Sequence, residues 1–413
     1  MRSDHGEAAV TSFAIEGARV FLPDDIVETT VQIDQGIISA IGAQADGPVV
    51  NGKGLVLAPA LIDVHGDAFE RQIMPRPGVF FPLDVALLDT DRQLAANGIA
   101  TAYHALTFSW APGLRAVDRS QAVIDALARL RPRLSVENRL QLRWETFAFE
   151  AVEVIEAALA AELTPSRAFN DHTSMSVRSF DVSLQTRAFE QDPEFATASF
   201  DDIRLKDRVA GDARRADVSV DAYLRLLRDV WDRRPEVDTT IRRLAETARR
   251  HGAPMLSHDD TQVATRAYYN DLGATVAEFP MTLEPAHYAR AHGGAIIFGA
   301  PNVVRGGSHI GSLSASDMIE EGLCDALASD YFYPAMLTAI ARLDAERRAT
   351  RSALWSLVSA GPARAMNLTD RGQIAVGQRA DLVLIDWPDD APPVVRATYS
   401  AGRTAFASTP GGA

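Results

Sequence analysis

The middle of the chain, from about Ala58 to about Leu368, alternates short apolar runs with amphipathic helical stretches. LAPALIDVH, IATAYHALTF and AIIFGAPN are three of the apolar runs, and stretches such as RSQAVIDALARLRPRL lie between them. Alternation over about 300 residues is typical of an α/β protein with a parallel sheet, and this length favours a (β/α)8 TIM barrel. An open doubly wound sheet is the alternative, but no Gly-rich phosphate-binding sequence follows the first strand.

The two ends of the chain have a different pattern. Residues 1–57 and 369–413 contain short strands of alternating polarity with Gly turns, such as SFAIEGARVFL and GQIAVGQRADLVLIDWP. We predict that both ends pair into one small β-sandwich domain beside a barrel formed by residues 58–368. Residues 178–236 are long, charged and mostly helical or irregular, which indicates an insertion after a barrel strand that forms a lid or an interface.

Charge and composition exclude several classes of protein. The formal net charge is −14, whereas general nucleic-acid binding needs a basic surface. No apolar run approaches the roughly 20 residues that span a bilayer, and the first residues show no signal-peptide core. Cys324 is the single cysteine, so no disulfide can form within the chain. We therefore expect a cytoplasmic protein without nucleic-acid or membrane partners, and leave a homo-oligomer open.

Polar side chains suited to binding a metal stand at the ends of successive predicted strands. They are His65, Asp67, Glu145, His172, His258 and Asp330. Strand carboxyl ends form the active-site face of a barrel, and imidazole and carboxylate are ligands of Zn²⁺ and similar ions. Any one of these histidines taken alone is more often a surface or core residue, and Asp171 and Asp260 favour helix N-caps. The repetition at strand ends is what indicates a metal site.

The order of these residues resembles the amidohydrolase superfamily. The string from Gly372 to Leu384, GQIAVGQRADLVL, resembles the β-sandwich return of that superfamily. The resemblance covers nearly the whole chain and implies a metal-dependent hydrolase with one or two divalent ions, zinc first, with manganese or iron as alternatives. It also implies that Glu145 belongs to the fourth barrel strand, His172 to the fifth and His258 to the sixth.

A carboxylated lysine on the fourth strand bridges two metals in many members of this superfamily. The only lysines of this chain are Lys53 and Lys206, and neither is at that position. Glu145, in LRWE, is the natural substitute, because a carboxylate can bridge two ions as a carbamate does. The alternative is a salt bridge from Glu145 to Arg143, which shares its face on a strand.

A narrower resemblance is to the phosphonate-metabolism branch of the superfamily. It is carried by HGDAFERQIMPRPG, LRWE, NDHT, SHDDT, GAPNVVRGGSHIGSLSA and ASDYFYP taken together. It implies hydrolysis of a phosphoanhydride in a ribose triphosphate ester, with release of diphosphate. The chain departs from the branch at Gly66 and Ala68, where the branch has Thr and Asn. It also departs at residues 174–176, where Pro-Gly-Gln usually follows DHT.

Five side chains are candidates for contact with an anionic small-molecule substrate. They are Arg76, Arg178, Asn302, Arg305 and His309. Arg76 is predicted in a Pro-bracketed loop after the first strand, and Arg305 in a Gly-rich loop after the seventh. The guanidinium of arginine can donate two parallel hydrogen bonds to a phosphate, and the backbone N–H groups of Gly-rich loops can bind anions. For both arginines, an ion pair or a hydrogen bond that stabilises the loop is the alternative.

The resulting hypothesis is a pair of divalent ions bridged by Glu145 and a hydroxide. The ligands are His65, Asp67 and Asp330 for one ion, and His172 and His258 for the other. The ions would lower the pKa of the bound water, and Asp330 would accept its proton as general base. Two other functions stay open: an amidohydrolase that cleaves the C–N bond of an N-acyl or cyclic amide, and a non-catalytic binding barrel.

Overall fold

The computed structural model describes residues 12–23, 25–161, 163–308, 311 and 313–408. The strands are β1 (Phe13–Phe21), β2 (Ile26–Asp34), β3 (Ile37–Ile41), β4 (Val49–Asn51), β5 (Val56–Pro59), β6 (Leu61–Gly66), β7 (Ile99–Phe108), β8 (Glu137–Glu145), β9 (Ser166–Asn170), β10 (Met255–His258), β11 (Val276–Glu278), β12 (Ala295–Gly299), β13 (Ala326–Ala328), β14 (Leu382–Asp386), β15 (Val394–Ser400) and β16 (Arg403–Ala407).

The α-helices are α1 (Glu70–Ile73), α2 (Leu83–Ala96), α3 (Val117–Leu130), α4 (Val152–Leu159), α5 (His172–Val177), α6 (Ile203–Arg215), α7 (Val220–Asp232), α8 (Val237–Arg250), α9 (Val263–Asp271), α10 (Leu283–Ala291), α11 (Ala300–Arg305), α12 (Ala315–Glu320), α13 (Ala335–Ala345), α14 (Arg351–Ser356) and α15 (Ala360–Ala365). Single 3-10 turns lie at Arg131–Arg133, Phe149–Ala151 and Arg234–Glu236. No helix in the described part of the chain is long and apolar enough to cross a membrane.

Strands β6 to β13 form a parallel sheet in which each strand pairs with the next along the chain. A parallel bridge between Gly66 and Asp330 joins the first strand to the residues that follow the last one. Asp330 N–H donates to the carbonyl of His65, and Asp67 N–H to the carbonyl of Asp330, both at 2.9 Å. The two edges of the sheet therefore meet, and the predicted (β/α)8 barrel is confirmed.

The barrel strands and helices follow from their residue patterns. All ten residues of β7, IATAYHALTF, are buried, as expected for a parallel strand covered on both faces. Helix α8 buries Ile241, Leu244, Ala245 and Ala248, a spacing that places one apolar stripe against the barrel. The apolar runs in the sequence thus correspond to strands that are buried on both faces, and the amphipathic stretches correspond to helices that are buried on one face.

The strands from the two chain ends form a single mixed sheet, in the order β16-β15-β14-β5-β1-β2-β3, with β4 beside β1. Strand β5 pairs antiparallel with β14, which joins the two ends of the chain. The two halves of the sheet face each other, since the rings of Phe13 and Tyr399 lie 5.4 Å apart on β1 and β15. The predicted composite β domain is confirmed, with hydrogen bonding continuous from one half to the other.

The terminal sheet is attached to the starts of the barrel strands. Strand β5 ends at Pro59 and β6 begins at Leu61, so the chain passes directly from sheet to barrel. Glu137, the first residue of β8, accepts a hydrogen bond from Arg371 at 2.5 Å and another from Arg379. The opposite ends of the barrel strands are left for the insertion and the loops.

Residues 178–236 contain helices α6 and α7, which pack on each other and on the ring of Trp110. Arg187 of this region is buried, and its Nε donates to Ser174 Oγ at 3.1 Å, beside α5. Leu184 and Arg215 extend to a cavity at the carboxyl ends of the barrel strands. The predicted insertion region thus contributes to the wall of that cavity.

Candidate metal centre

Three groups of side chains at the carboxyl ends of the barrel strands bring their ligand atoms within 4.8 Å of one another. The groups are His65, Asp67 and Asp330; His65, His258 and Glu278; and His172, His258 and Asp259. They are neighbours because parallel strands of one barrel all end on the same face. The shared members His65 and His258 join the three groups into one centre.

The closure of the barrel assembles the first group. The main-chain bonds between Asp330, His65 and Asp67 hold these residues side by side. Asp330 has a left-handed backbone with φ 55°, a conformation that few non-glycine residues adopt and that aspartate tolerates better than most. Burial raises the pKa of Asp330 to about 6, and the neighbouring charge of Asp67 adds to this effect.

Buried carboxylates hold the Nδ1 atoms of all three histidines. Glu278 has Oε1 at 2.9 Å from His65 Nδ1 and Oε2 at 2.7 Å from His258 Nδ1. Glu145 Oε1 lies 2.6 Å from His172 Nδ1, and its Oε2 accepts from the His172 N–H at 3.0 Å. A carboxylate on Nδ1 fixes the ring and leaves Nε2 for a metal ion.

The carboxylates and the imidazoles stabilise each other's charged forms. Burial opposes ionisation of Glu145, but the charge and hydrogen bonds of His172 outweigh it and lower the pKa of Glu145 to about 2. Burial likewise opposes protonation of His172, yet Glu145 and Asp259 raise the pKa of His172 to about 9. Burial also opposes ionisation of Glu278, but the charge of His65 and the hydrogen bond from His258 outweigh it and lower the pKa of Glu278.

The donor set fits a divalent metal ion. Imidazole nitrogen and carboxylate oxygen suit zinc, and they also suit manganese and iron. Asp67 and Asp330 bring two carboxylates together within the first group, and like charges at such a distance call for a cation between them. The first group therefore offers one imidazole and two carboxylates to an ion.

A cavity of about 480 Å³ opens onto this centre. Its lining includes His65, Asp67, Arg143, His172, Arg215, His258, Asp259, Phe279, Phe298, Asn302, Arg305, Gly307, Ser308 and Asp330. Arg305 is the last residue of helix α11 and precedes Gly306, which has φ 78°. Arg305 therefore lies at the end of a helix, immediately before the predicted Gly-rich loop and not within it.

Of the other residues predicted to contact the substrate, one lines this cavity and two do not. Asn302 lines the cavity, but its amide is engaged by Leu313 O at 2.8 Å and Ala315 N at 2.9 Å, so it holds the following loop. Arg76 is exposed, and Arg178 donates to the carbonyls of Met175 and Val182; neither lines this cavity. His309 lies outside the described residues.

The strand numbers implied by the resemblance were wrong by one. Glu145 ends β8, the third barrel strand, His172 directly follows the fourth, and His258 ends the fifth. The sixth strand ends in Glu278 rather than in a histidine. Glu145 contacts His172 and lies in none of the three groups formed by the described residues, so its bridging role stays a prediction.

Sequence reasoning missed three residues of the centre: Arg143, Asp259 and Glu278. Glu278 is the last residue of β11, so the rule that selected the other strand-end residues would also have found it. Arg143 shares a strand face with Glu145, but it contacts Asp67 at 3.7 Å and His258 at 3.3 Å, not Glu145. Asp259 has a left-handed backbone, φ 58°, which the sequence does not reveal.

Gly66, where the phosphonate branch has threonine, lies at a point with no room for a side chain. A β-carbon there would lie 2.5 Å from Asp63 Oδ2 and 3.0 Å from Ser329 Oγ. Asp63 is buried and accepts from the Ser329 N–H at 2.9 Å. The absence of a side chain at Gly66 therefore leaves room for the hydrogen bond between Asp63 on the first barrel strand and Ser329 after the last one.

The barrel, the terminal sheet and the histidine–carboxylate centre together define an amidohydrolase-type hydrolase. The amidohydrolase family (Amidohydro_3) matches residues 86–406, and the chain belongs to this family. It is similar to alpha-D-ribose 1-methylphosphonate 5-triphosphate diphosphatase of Escherichia coli (strain K12), with 31% identity over 383 residues. The match covers 91% of this chain and 96% of the relative, and it confirms the resemblance to the phosphonate branch.

Solved structures share the fold at low sequence identity. An amidohydrolase from an environmental sample of the Sargasso Sea has 16% identity and a TM-score of 0.64, covering 96% of this chain and 93% of its own. An adenosine deaminase from Xanthomonas campestris with bound zinc has 14% identity and a TM-score of 0.61, covering 95% and 92%. A D-hydantoinase has 13% identity and a TM-score of 0.55, covering 95% of each chain.

Proposed function

We propose that this protein is a metal-dependent acid anhydride hydrolase that cleaves a ribose triphosphate ester of phosphonate metabolism and releases diphosphate. The identity to the Escherichia coli diphosphatase over almost the whole chain supports this substrate. The centre of imidazoles and carboxylates supports the metal dependence. The net charge of −14 argues against a nucleic-acid substrate, and we propose a small anionic substrate in the cytoplasm.

The observation that carries the proposal is the presence of metal ligands and cationic side chains in one cavity. Arg143 and Arg305 line the same 480 Å³ cavity as Asp67 and Asp330. Arg305 is exposed and has no ion pair among the described residues, so its charge is available to a phosphate. Guanidinium groups bind phosphate oxygens bidentately and stabilise the charge that develops in phosphoryl transfer.

The first group would hold the ion that the reaction needs, with zinc as the first candidate and manganese or iron as alternatives. Its ligands would be His65, Asp67 and Asp330, and the adjoining group offers His172, His258 and Asp259. When bound, a divalent ion lowers the pKa of water toward 7 and stabilises negative charge on the phosphate oxygens. Glu278 would keep His65 oriented for this role.

Asp330 would accept the proton of the attacking water. Its carboxylate lies at the end of the eighth strand beside Asp67, and both line the cavity. The raised pKa of Asp330, about 6, makes it a stronger base than an exposed aspartate.

Replacement of Asp330 by asparagine removes the proton acceptor and keeps an oxygen ligand. We expect Asp330→Asn to lose about 10²- to 10⁴-fold in kcat, while an ion stays bound through His65 and Asp67. Steady-state kinetics and elemental analysis of the same preparation measure the two effects. Wild-type turnover in the variant would rule out this role for Asp330.

A second cavity offers room for the remainder of a long substrate. It has a volume of about 530 Å³, and His172, Met175 and Arg215 line both cavities. Trp110 and Tyr223 line it too, with ring centroids 5.2 Å apart. A sugar triphosphate with an anionic group at each end would extend across both cavities.

The apolar side chains Phe279 and Phe298 of the metal cavity favour a second candidate, hydrolysis of an N-acyl or cyclic amide. A substrate panel separates the two functions. The metal-loaded enzyme is assayed with ribose 1-methylphosphonate 5-triphosphate, ATP, N-acyl amino acids and a hydantoin. We expect kcat/KM for the triphosphate ester to exceed that for every amide by at least about 10²-fold. Turnover of an amide without turnover of the triphosphates would establish the second candidate.

A further inference from the structure

Arg143 contacts Asp67 of the first group and His258 of the group that also contains His172 and Asp259. It therefore lies between these two groups. We propose that the protein binds one catalytic divalent ion, and that the guanidinium of Arg143 takes the place of the second ion of binuclear relatives. This inference rests on the metal dependence proposed above and specifies its stoichiometry.

The contacts of Arg143 place it between members of different groups. The side chain is 5% exposed, with Nη1 3.7 Å from Asp67 Oδ2. Its Nη2 lies 3.3 Å from His258 Nε2. With the amide of Asn170 turned so that its oxygen faces Arg143, this oxygen accepts from Nη2 at 3.2 Å and from Nε at 3.3 Å. Three partners therefore fix the guanidinium in the centre.

These contacts determine which ring nitrogen of His258 carries the proton and which one carries the lone pair. Arginine has only donors and is always protonated, so Arg143 donates to Nε2 of His258. The carboxylate of Glu278 accepts from Nδ1 on the other side of the ring, at 2.7 Å. His258 is therefore the neutral tautomer with its proton on Nδ1, and its single lone pair points at Arg143 instead of an ion.

The loss of His258 leaves the group of His172, His258 and Asp259 too small to hold an ion. Only His172 and Asp259 then remain there, whereas the first group keeps His65, Asp67 and Asp330. Three protein ligands and an open position are the usual make-up of a catalytic zinc site. The fixed positive charge of Arg143 beside His258 also opposes binding of a further divalent cation at His172 and Asp259.

An anion that would bridge two ions has no place between the groups of the described residues. Lys53 is exposed in the turn between β4 and β5, and Lys206 pairs with Asp221 at 2.7 Å. Glu145, the predicted substitute, is engaged by the ring and main chain of His172. The side chain that contacts both Asp67 and His258 is thus a cation, Arg143, and not a carboxylate.

Titration of metal-stripped enzyme with Mn²⁺, followed by the EPR signal of the free ion, counts the ions. We expect the signal to stay suppressed up to about one Mn²⁺ per chain and then to rise with each addition. Suppression up to about two ions per chain would overturn the one-ion inference and leave the proposed function intact. Failure to bind any ion would instead contradict the metal dependence itself.

The variant Arg143→Gln tests whether the guanidinium is what excludes the second ion. It frees the lone pair of His258, so we expect the stoichiometry to rise to about two ions per chain. Arg115→Gln is the matched control, because Arg115 also approaches Asp67, at 3.5 Å, but pairs with Glu70. A count that stays at one in Arg143→Gln, or that also rises in Arg115→Gln, contradicts the inference. If circular dichroism shows Arg143→Gln unfolded, the wild-type titration still decides the count.

Discussion

At the scale of single residues, one carboxylate positions two histidines of the centre. Glu278 is fully buried, contacts Nδ1 of both His65 and His258, and also accepts from Gln141 Nε2 at 2.5 Å. It accepts from His258 Nδ1, and its other oxygen lies 2.9 Å from His65 Nδ1, so both rings are held on the side away from Nε2. Outer carboxylates of this kind raise the basicity and fix the orientation of metal-binding histidines.

Replacement of Glu278 by glutamine should weaken metal binding. The amide has one acceptor oxygen in place of two, so His65, the ligand of the ion, competes with His258 for that oxygen. We expect the dissociation constant for the ion to rise about 10- to 100-fold, measured by competition with a chromophoric chelator. Glu145→Gln is the matched control with a smaller expected effect, since Glu145 holds only His172. Unchanged affinity in Glu278→Gln would contradict the role given to this carboxylate.

At the scale of helices and strands, the sequence predicted most of the fold and part of the centre. The alternation of apolar runs and amphipathic stretches predicted the barrel. The positions at strand ends predicted five residues that the structure brings together: His65, Asp67, His172, His258 and Asp330. The side-chain partners were not predictable, because they depend on how eight strand ends converge. Strand order cannot show that Arg143 reaches Asp67 and His258.

Helix α11 shows why short elements were the least predictable. APNVVR has a proline in its first turn, Pro301, and ends at Gly306 in the left-handed conformation. Both features are typical helix boundaries, but two consecutive glycines also suggest a loop. The helix places Arg305 at its last residue, on the wall of the metal cavity.

Two arginines that the sequence treated alike are now distinguishable by experiment. We expect Arg305→Gln to lower kcat/KM for the triphosphate ester about 10- to 100-fold, the worth of one charged hydrogen bond. Arg76→Gln should stay within about twofold of wild type, because Arg76 is exposed and does not line this cavity. The reverse order of the two effects would place the phosphates at the loop after α1.

At the scale of the whole molecule, a partly buried ion-pair network joins the terminal sheet to the barrel. Glu137 at the start of β8 pairs with Arg371 at 2.5 Å and also with Arg379. Arg379 in turn contacts Asp381 at 2.9 Å. Burial disfavours the charge of Glu137, but Arg371 and its neighbours prevail and lower the pKa of Glu137 to about 2.

Glu137→Gln should destabilise the fold in a pH-dependent way. We expect a loss of about 2 kcal/mol at pH 7, because Arg139, Arg371 and Arg379 each lose a charged partner. The folded pKa, about 2, lies below the ordinary value of 4.5, so this stabilisation is complete above pH 4.5 and declines as pH falls toward 2. Urea unfolding of both proteins from pH 7 to pH 3.5 measures the difference. A difference that grows on acidification would contradict the network.

The most direct test of metal-dependent phosphoanhydride hydrolysis is ³¹P NMR of the reaction with ribose 1-methylphosphonate 5-triphosphate in ¹⁸O-water. With the metal-loaded enzyme we expect diphosphate and a monophosphate ester, with the isotope shift of one ¹⁸O on a phosphate product. The chelator-stripped enzyme should give neither until an ion is restored. Two results would contradict the account. One is a triphosphate spectrum that stays unchanged with a metal-loaded preparation that does cleave an amide. The other is equal turnover of the triphosphate with and without the ion.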